Sequence, residues 1–199
     1  METLYEKRDT ILKDIIKPYF KEAGFKILGA TFNKPEDGFI KVCNFQNSGF
    51  NSEDHVSFYL NIGIFFPNVF NEKILKNIKP YECQFSLRTD LLTGANQSYD
   101  FTLLTDFNKL KYTIQTDLTQ YIIPFYRSLQ SLDDCLAILP KIQKPLLTDC
   151  TPFIGLAFAS QGQLDKAKEV LNKYLQEPIA NEKWKLKIKL EALKKGVFL

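Results

Sequence analysis

The sequence predicts an α+β fold: an approximately five-stranded antiparallel meander sheet with helices on one face, then a C-terminal helical hairpin. Three observations predict it. The hydrophobic period is 3.6 at the N-terminus, becomes 2 between about residues 25 and 105, and returns to 3.6 afterwards. The period-2 runs are joined by short polar connections, which suit antiparallel neighbours better than crossovers. Phe and Tyr number 17 and 9 among 199 residues, an aromatic load that fits half-buried strands and large core pieces.

The first helix spans 4–23. Leu4, Arg8, Ile11, Leu12, Ile15, Ile16, Tyr19 and Phe20 fall at i, i+3, i+4 spacing, Pro18 should kink or restart it, and Gly24 is the expected stop. Strands are expected at 25–34, 39–47, 55–66, 81–92 and 98–105, with turns at 35–38 (PEDG) and 93–97 (TGANQ) and a polar connection at 48–54. The third strand is the clearest, because Val56, Phe58, Leu60, Ile62, Ile64 and Phe66 share one face and Pro67 ends it. A helical turn is expected in 68–79. Asp106 should cap a helix carrying Leu110, Ile114, Leu118, Tyr121 and Ile122, which Pro124 ends or bends. A second helix starts at Ser131 in the form SLDD and runs to Leu139; the Pro-rich stretch 140–152 reads as a linker.

The expected organisation is therefore an α+β domain, 1–140, and a helical C-terminal appendage, 152–199. Within the appendage, Gly155, Phe158, Gly162, Ala167, Leu171 and Tyr174 resemble a single tetratricopeptide unit. A lone copy is too small for a solenoid, so a helical hairpin packed on the main domain is the expectation. In WKLKIKLEALKK, 184–195, Trp184, Leu186, Ile188 and Leu190 alternate with lysines as in a strand. Helix-forming residues fill the segment, and a helix is expected.

Three pieces, in order, resemble a family of proteins known as domain-of-unknown-function family 4304 over about 20–139. They are Gly24–Lys26 with Thr31–Phe32; Asn44–Gln46 before a Ser/Asn-rich turn and Phe58–Ile64; and Cys83 with Arg88, followed later by Pro124–Phe125. The tryptophan-rich segment usual after the fifth strand of that family is replaced here by LLTDFNKL. The resemblance implies an α+β fold and carries over no activity and no catalytic residue.

Composition narrows the function. The net charge is +3, too small for a nucleic-acid footprint, and six Lys against two Glu after residue 180 give that end +4. A solvated cationic face is the expectation there. The N-terminus carries charges throughout and so does not read as a signal peptide, and no window approaches the ~18 apolar residues of a membrane span. Four scattered cysteines, Cys43, Cys83, Cys135 and Cys150, without a CxxC pair, read as reduced core thiols of a cytoplasmic protein. With one histidine, His55, no metal site is expected, and no phosphate-binding Gly-rich loop or nucleophile elbow is present. No cofactor, no nucleic acid and no membrane partner is expected.

What remains is the polar side of the sheet. Strand parity gathers Asn44, Gln46, Tyr59, Asn61, Gln84, Arg88 and Asp100 on one face. Arg88 could hold a carboxylate or phosphate bidentately, and amides on a rigid sheet orient hydrogen bonds. A meander also needs a solvated face, which explains the same residues without a ligand. Trp184 marks a second candidate surface. The leading expectation is a non-catalytic binding protein for a protein partner or small polar ligand, one specific form being antitoxin-like neutralisation. The alternative is an enzyme holding a small anionic substrate on Arg88, with Tyr59 or Asp100 as proton carrier.

Overall fold

The computed structural model describes residues 2–70, 77–94, 98–142, 149–178 and 181–199. Its architecture is the expected α+β one, an antiparallel sheet with helices on one face and helices at the C-terminus.

The N-terminal rod consists of α1 (Leu4–Thr10), a π-helical stretch (Ile11–Ile16) and α2 (Lys17–Glu22). Thr3 and Glu6 form a capping box at its start, and Gly24 ends it at φ +84°. Pro18 does not break the rod. The residue before it, Lys17, donates its N–H five residues back to Leu12, so one wide turn absorbs the proline ring. The same device recurs between α4 (Phe107–Asp117) and α5 (Ile123–Ser128). There the π-helical stretch Leu118–Ile122 precedes Pro124, and Ile123 N–H bonds Leu118 O.

The sheet contains β1 (Lys26–Leu28), β2 (Thr31–Glu36), β3 (Phe39–Asn47), β4 (His55–Phe65), β5 (Phe85–Arg88) and β6 (Tyr99–Thr102). Three strand expectations and one turn need correction; the expected strand 98–105 shortens to Tyr99–Thr102. The stretch 25–34 is not one strand: Gly29, at φ +67°, turns the chain and Leu28 pairs with Thr31. Likewise the next turn is only Asp37–Gly38, because Pro35 and Glu36 still pair with β3. The stretch 81–92 keeps only four strand residues. A 3-10 turn (Pro80–Glu82) precedes them and a helical turn, α3 (Asp90–Thr93), follows.

Both β5 and β6 pair with the same edge of β4, Phe85–Arg88 against Ile64–Asn61 and Tyr99–Thr102 against Phe58–His55. They run in one direction. They occupy the position of a single fifth strand on that edge, with α3 between them, and the meander order is thereby preserved. The 93–97 turn falls partly outside the described residues, as do 71–76 of the expected helical turn and 143–148 of the expected linker.

The helix-facing side carries Val56, Phe58, Leu60, Ile62 and Ile64 of β4, all at most 1% exposed. Phe20 stacks on Phe32 at 4.5 Å, Phe25 meets Tyr126 edge-on at 5.0 Å, and Phe125 lies over Phe85 at 6.4 Å. Tyr126 is fully buried, and its hydroxyl donates to Val42 O at 2.6 Å, tying α5 to the backbone of β3. Lys41 is also buried on this side and is neutralised by Glu36 at 2.6 Å, which meets Lys34 as well.

The C-terminal part consists of α6 (Leu132–Ile142), α7 (Thr151–Ser160), α8 (Leu164–Gln176) and α9 (Glu182–Lys194). Pro140 sits inside α6, which therefore runs past the expected end at Leu139. A hairpin of α7 and α8 turns at Gly162, φ +76°. The α7–α8 approach is close at Gly155, where a Cβ would come within 2.7 Å of Leu171. One contiguous apolar cluster extends from Leu4 to Val197 and includes Ile154, Phe158, Leu171 and Ile188. The segment 184–195 is helical as expected, and its alternation has a simple cause. In a helix, residues 184 and 188 face one way while 186 and 190 face the other. Ile188 is buried, whereas Leu186 and Leu190 are exposed.

Candidate functional site

The polar side of the sheet is built from three rungs. On the first, Asn44, Asn61 and Arg88 lie side by side; on the second, Gln46 faces Tyr59; on the third, Ser57 faces Asp100. Rungs on one face are two residues, or about 7 Å, apart. Six of the seven expected face residues thus share it. Gln84 does not: it precedes β5, and its side-chain oxygen accepts from Phe66 N at 2.8 Å.

Each polar group has a defined state. Asn44 donates to Ala30 O at 3.1 Å and Thr31 Oγ1 at 3.0 Å, which pins the β1–β2 hairpin to β3. Asn61 donates to Gln46 Oε1 at 2.7 Å across the two strands. The Arg88 guanidinium lies over the Tyr59 ring at 4.4 Å, a cation–π contact on the exposed surface. Among the described residues no carboxylate pairs with Arg88, so its planar fork of N–H donors faces solvent. Asp100 is engaged by its own neighbours, His55 Nε2 at 3.5 Å and Ser98 Oγ.

The far end of this face is not wet. Val42 and Phe65 are buried there beneath Ile78, with Ile40 and Cys83 packed around them. The covering segment comes so close that a Cβ on Gly63 would sit 2.5 Å from Cys83 Sγ. Asn33 lies under it too and, with its amide turned to satisfy both ends, bridges the backbone N–H and C=O of Ile78. Strand parity alone could have placed Asn33 on this face, opposite Val42. What the sequence does not show is that the 78–83 segment folds back over it.

Nucleophile chemistry finds no support in this arrangement. Burial pushes all four thiols up, Cys135 to about 12 and Cys43, Cys83 and Cys150 further, so they stay protonated at neutral pH. None forms a disulfide. His55, Asp100 and Ser98 adjoin one another, but serine and histidine both address the carboxylate instead of forming the serine–imidazole–carboxylate sequence of a triad. Among the described residues no group of three or more His, Cys, Asp or Glu could hold a metal ion, and no helix is long and apolar enough to cross a membrane.

The second candidate, Trp184, packs inward. Its ring lies 5.7 Å from Phe70 and 5.8 Å from Phe153, and Lys187 Nζ sits over Phe70 and Trp184 at 4.3 and 5.0 Å. A shallow cavity of about 310 Å³ runs past these rings to Glu82 and Gln84.

A family model described as domain of unknown function (DUF4304) matches residues 16–128, more than half of the chain. The protein belongs to the DUF4304 family. The DUF4304 match covers the whole sheet and ends at the last residue of α5, so the polar face lies inside it. It stops short of the expected boundary at 139 and leaves α6–α9, including the helical hairpin and Trp184, outside. No curated protein and no solved structure matches the DUF4304 chain.

Proposed function

We propose that this DUF4304 protein is a non-catalytic cytoplasmic binding protein that recognises an anionic group, carboxylate or phosphate, through Arg88. The observation that carries the reading is the state of that side chain. Stacking on Tyr59 limits its rotamers and leaves its donors open, on a rigid three-rung face beside amides already fixed by hydrogen bonds. A guanidinium held this way loses less freedom when an oxyanion docks. Neutralisation of a toxin is one form such binding takes. Four protonated, mostly buried thiols suit a reducing compartment.

The enzyme alternative is weaker on geometric grounds. The backbone rungs of Arg88 and Asp100 are two steps apart, about 13 Å along β4. Asp100 is already engaged by His55 and Ser98, and the Tyr59 ring is covered by Arg88. A small anion on Arg88 therefore has no second positioned group to move a proton.

The test is a titration of isotope-labelled protein with three probes: an oligoglutamate peptide, a phosphoserine peptide and inorganic phosphate. Side-chain signals of Arg88, Asn61 and Gln46 should move together with at least one probe, and Arg88→Gln should abolish the response. Which probe works separates a protein-borne from a free anion. If the Arg88 Nε–H signal stays still with all three, the reading is wrong.

A further inference from the structure

The exposed side of α9 has a pattern of its own, on an element outside the DUF4304 match and independent of Arg88. Leu186, Leu190 and Leu193 are 57%, 51% and 52% exposed and follow four-then-three spacing. They lie opposite the side that buries Ile188 and Ala192. This is the d, a, d spacing of a heptad seam. In that register Lys187 and Lys194 take e positions and Lys189 a g position, and Lys183 takes the preceding a. A groove of about 470 Å³, lined by Asn181, Lys183, Trp184, Leu186, Lys187 and Leu190, runs along the same helix.

We propose that this seam docks a helix of a partner protein that presents leucine-like residues at a and d and acidic residues at e and g. Charge decides the occupant. Among the described residues Lys183 and Lys189 meet no carboxylate, Lys187 rests on aromatic rings, and Lys194 pairs only with Glu191 of its own helix at 2.7 Å. Lysines at both e positions and at the central g position outnumber the single flanking acid, Glu182, which is already paired with Lys185; they oppose a second copy of the chain and favour glutamate across the seam. A membrane surface calls for a broader apolar face with bulky anchors. Here the apolar strip is one side chain wide, and Trp184 points inward to Phe70 and Phe153. The row covers two helical turns, the length read by helix-in-groove contacts with anchors at i, i+4 and i+7.

The experiment uses the full chain and a fluorescein-labelled three-heptad peptide with Leu at a and d and Glu at e and g, read by anisotropy. Saturable binding is expected. A peptide with Lys at e and g, or with Ser at a and d, should bind at least about tenfold more weakly, as should the variant Leu190→Asp. Leu190 is half exposed, so that variant should keep its circular dichroism. The double variant Lys189→Glu/Lys194→Glu should reverse the preference toward the Lys peptide, a gain that misfolding cannot mimic. The proposal is overturned if the acidic peptide does not bind or binds Leu190→Asp equally well. It is also overturned if the chain sediments as a dimer that Leu190→Asp dissociates, or pellets with phosphatidylserine vesicles while ignoring the peptide.

Discussion

Gly63→Ala should loosen the cover over the buried end of the polar face. Gly63 sits mid-strand in β4, opposite Ser86 and one rung from the Asn61–Arg88 pair. A new Cβ would stand 2.5 Å from Cys83 Sγ, 3.1 Å from Cys83 Cβ and 3.2 Å from Pro80 Cα. Ordinary carbon contacts lie near ~3.5–4.0 Å, so the sulfur must retreat by about 1 Å and the backbone at Pro80 by a few tenths. Overpacking of this kind costs about 1–3 kcal/mol. For a chain of this size each kcal/mol lowers Tm by about 2–4 °C. The double variant Gly63→Ala/Cys83→Ala removes the sulfur clash but not the Pro80 contact, so a double-mutant cycle should show partial rescue. Thermal and urea denaturation of the four proteins measure it. A cost under about 0.5 kcal/mol for the single variant, or strict additivity in the cycle, would show that the 78–83 segment does not press on β4 as described.

Three further outcomes follow from buried polar groups. Glu36→Ala leaves the buried Lys41 ammonium without its partner and should cost about 3 kcal/mol, whereas Lys41→Met should stay within about 1 kcal/mol of wild type because Glu36 still meets Lys34. Equal urea-derived losses would contradict this asymmetry. Tyr126→Phe removes only the bond to Val42 O and should cost about 1 kcal/mol, with the α5 ring packing retained; a neutral result would mean that the bond adds nothing to ring burial. Burial raises the Asp117 pKa, partly offset by the hydrogen bond from Tyr99 at 2.8 Å. The native state then holds this proton more tightly, so stability falls as pH rises from the ordinary aspartate range through the raised value. Asp117→Asn should flatten that fall, and parallel pH–stability curves for the two proteins would refute it.

Most of the fold was legible because its signals are periodic and local. The row Val56–Phe66 marks β4, Gly24 the helix stop and Asp106 a cap whose carboxylate accepts from Asn108 and Lys109. The Gly29 turn was missed because apolar residues continue on both sides of it, and only a positive φ separates the two short strands. The covering of Val42, Phe65 and Asn33 depends on a non-local fold-back with no periodic signature. In the site, parity placed Asn44, Gln46, Tyr59, Asn61, Arg88 and Asp100 together, because one face of a sheet is a counting problem. Gln84 failed that count because its strand begins one residue later. The stacking of Arg88 on Tyr59 lies beyond parity, since it is a rotamer choice. In α9 the alternating pattern was visible, but two opposite apolar helix faces and a strand give the same short string.

The break between Arg88 and Tyr99 makes chain length at that point independent of sheet geometry. Arg88 and Tyr99 keep their rungs on β4 whatever lies between them, so a relative could lengthen, shorten or replace the detour without shifting the register of either half-strand. The detour leaves the sheet directly beside the Tyr59–Arg88 pair. Variation there would reshape the surroundings of the guanidinium while the platform beneath stayed constant.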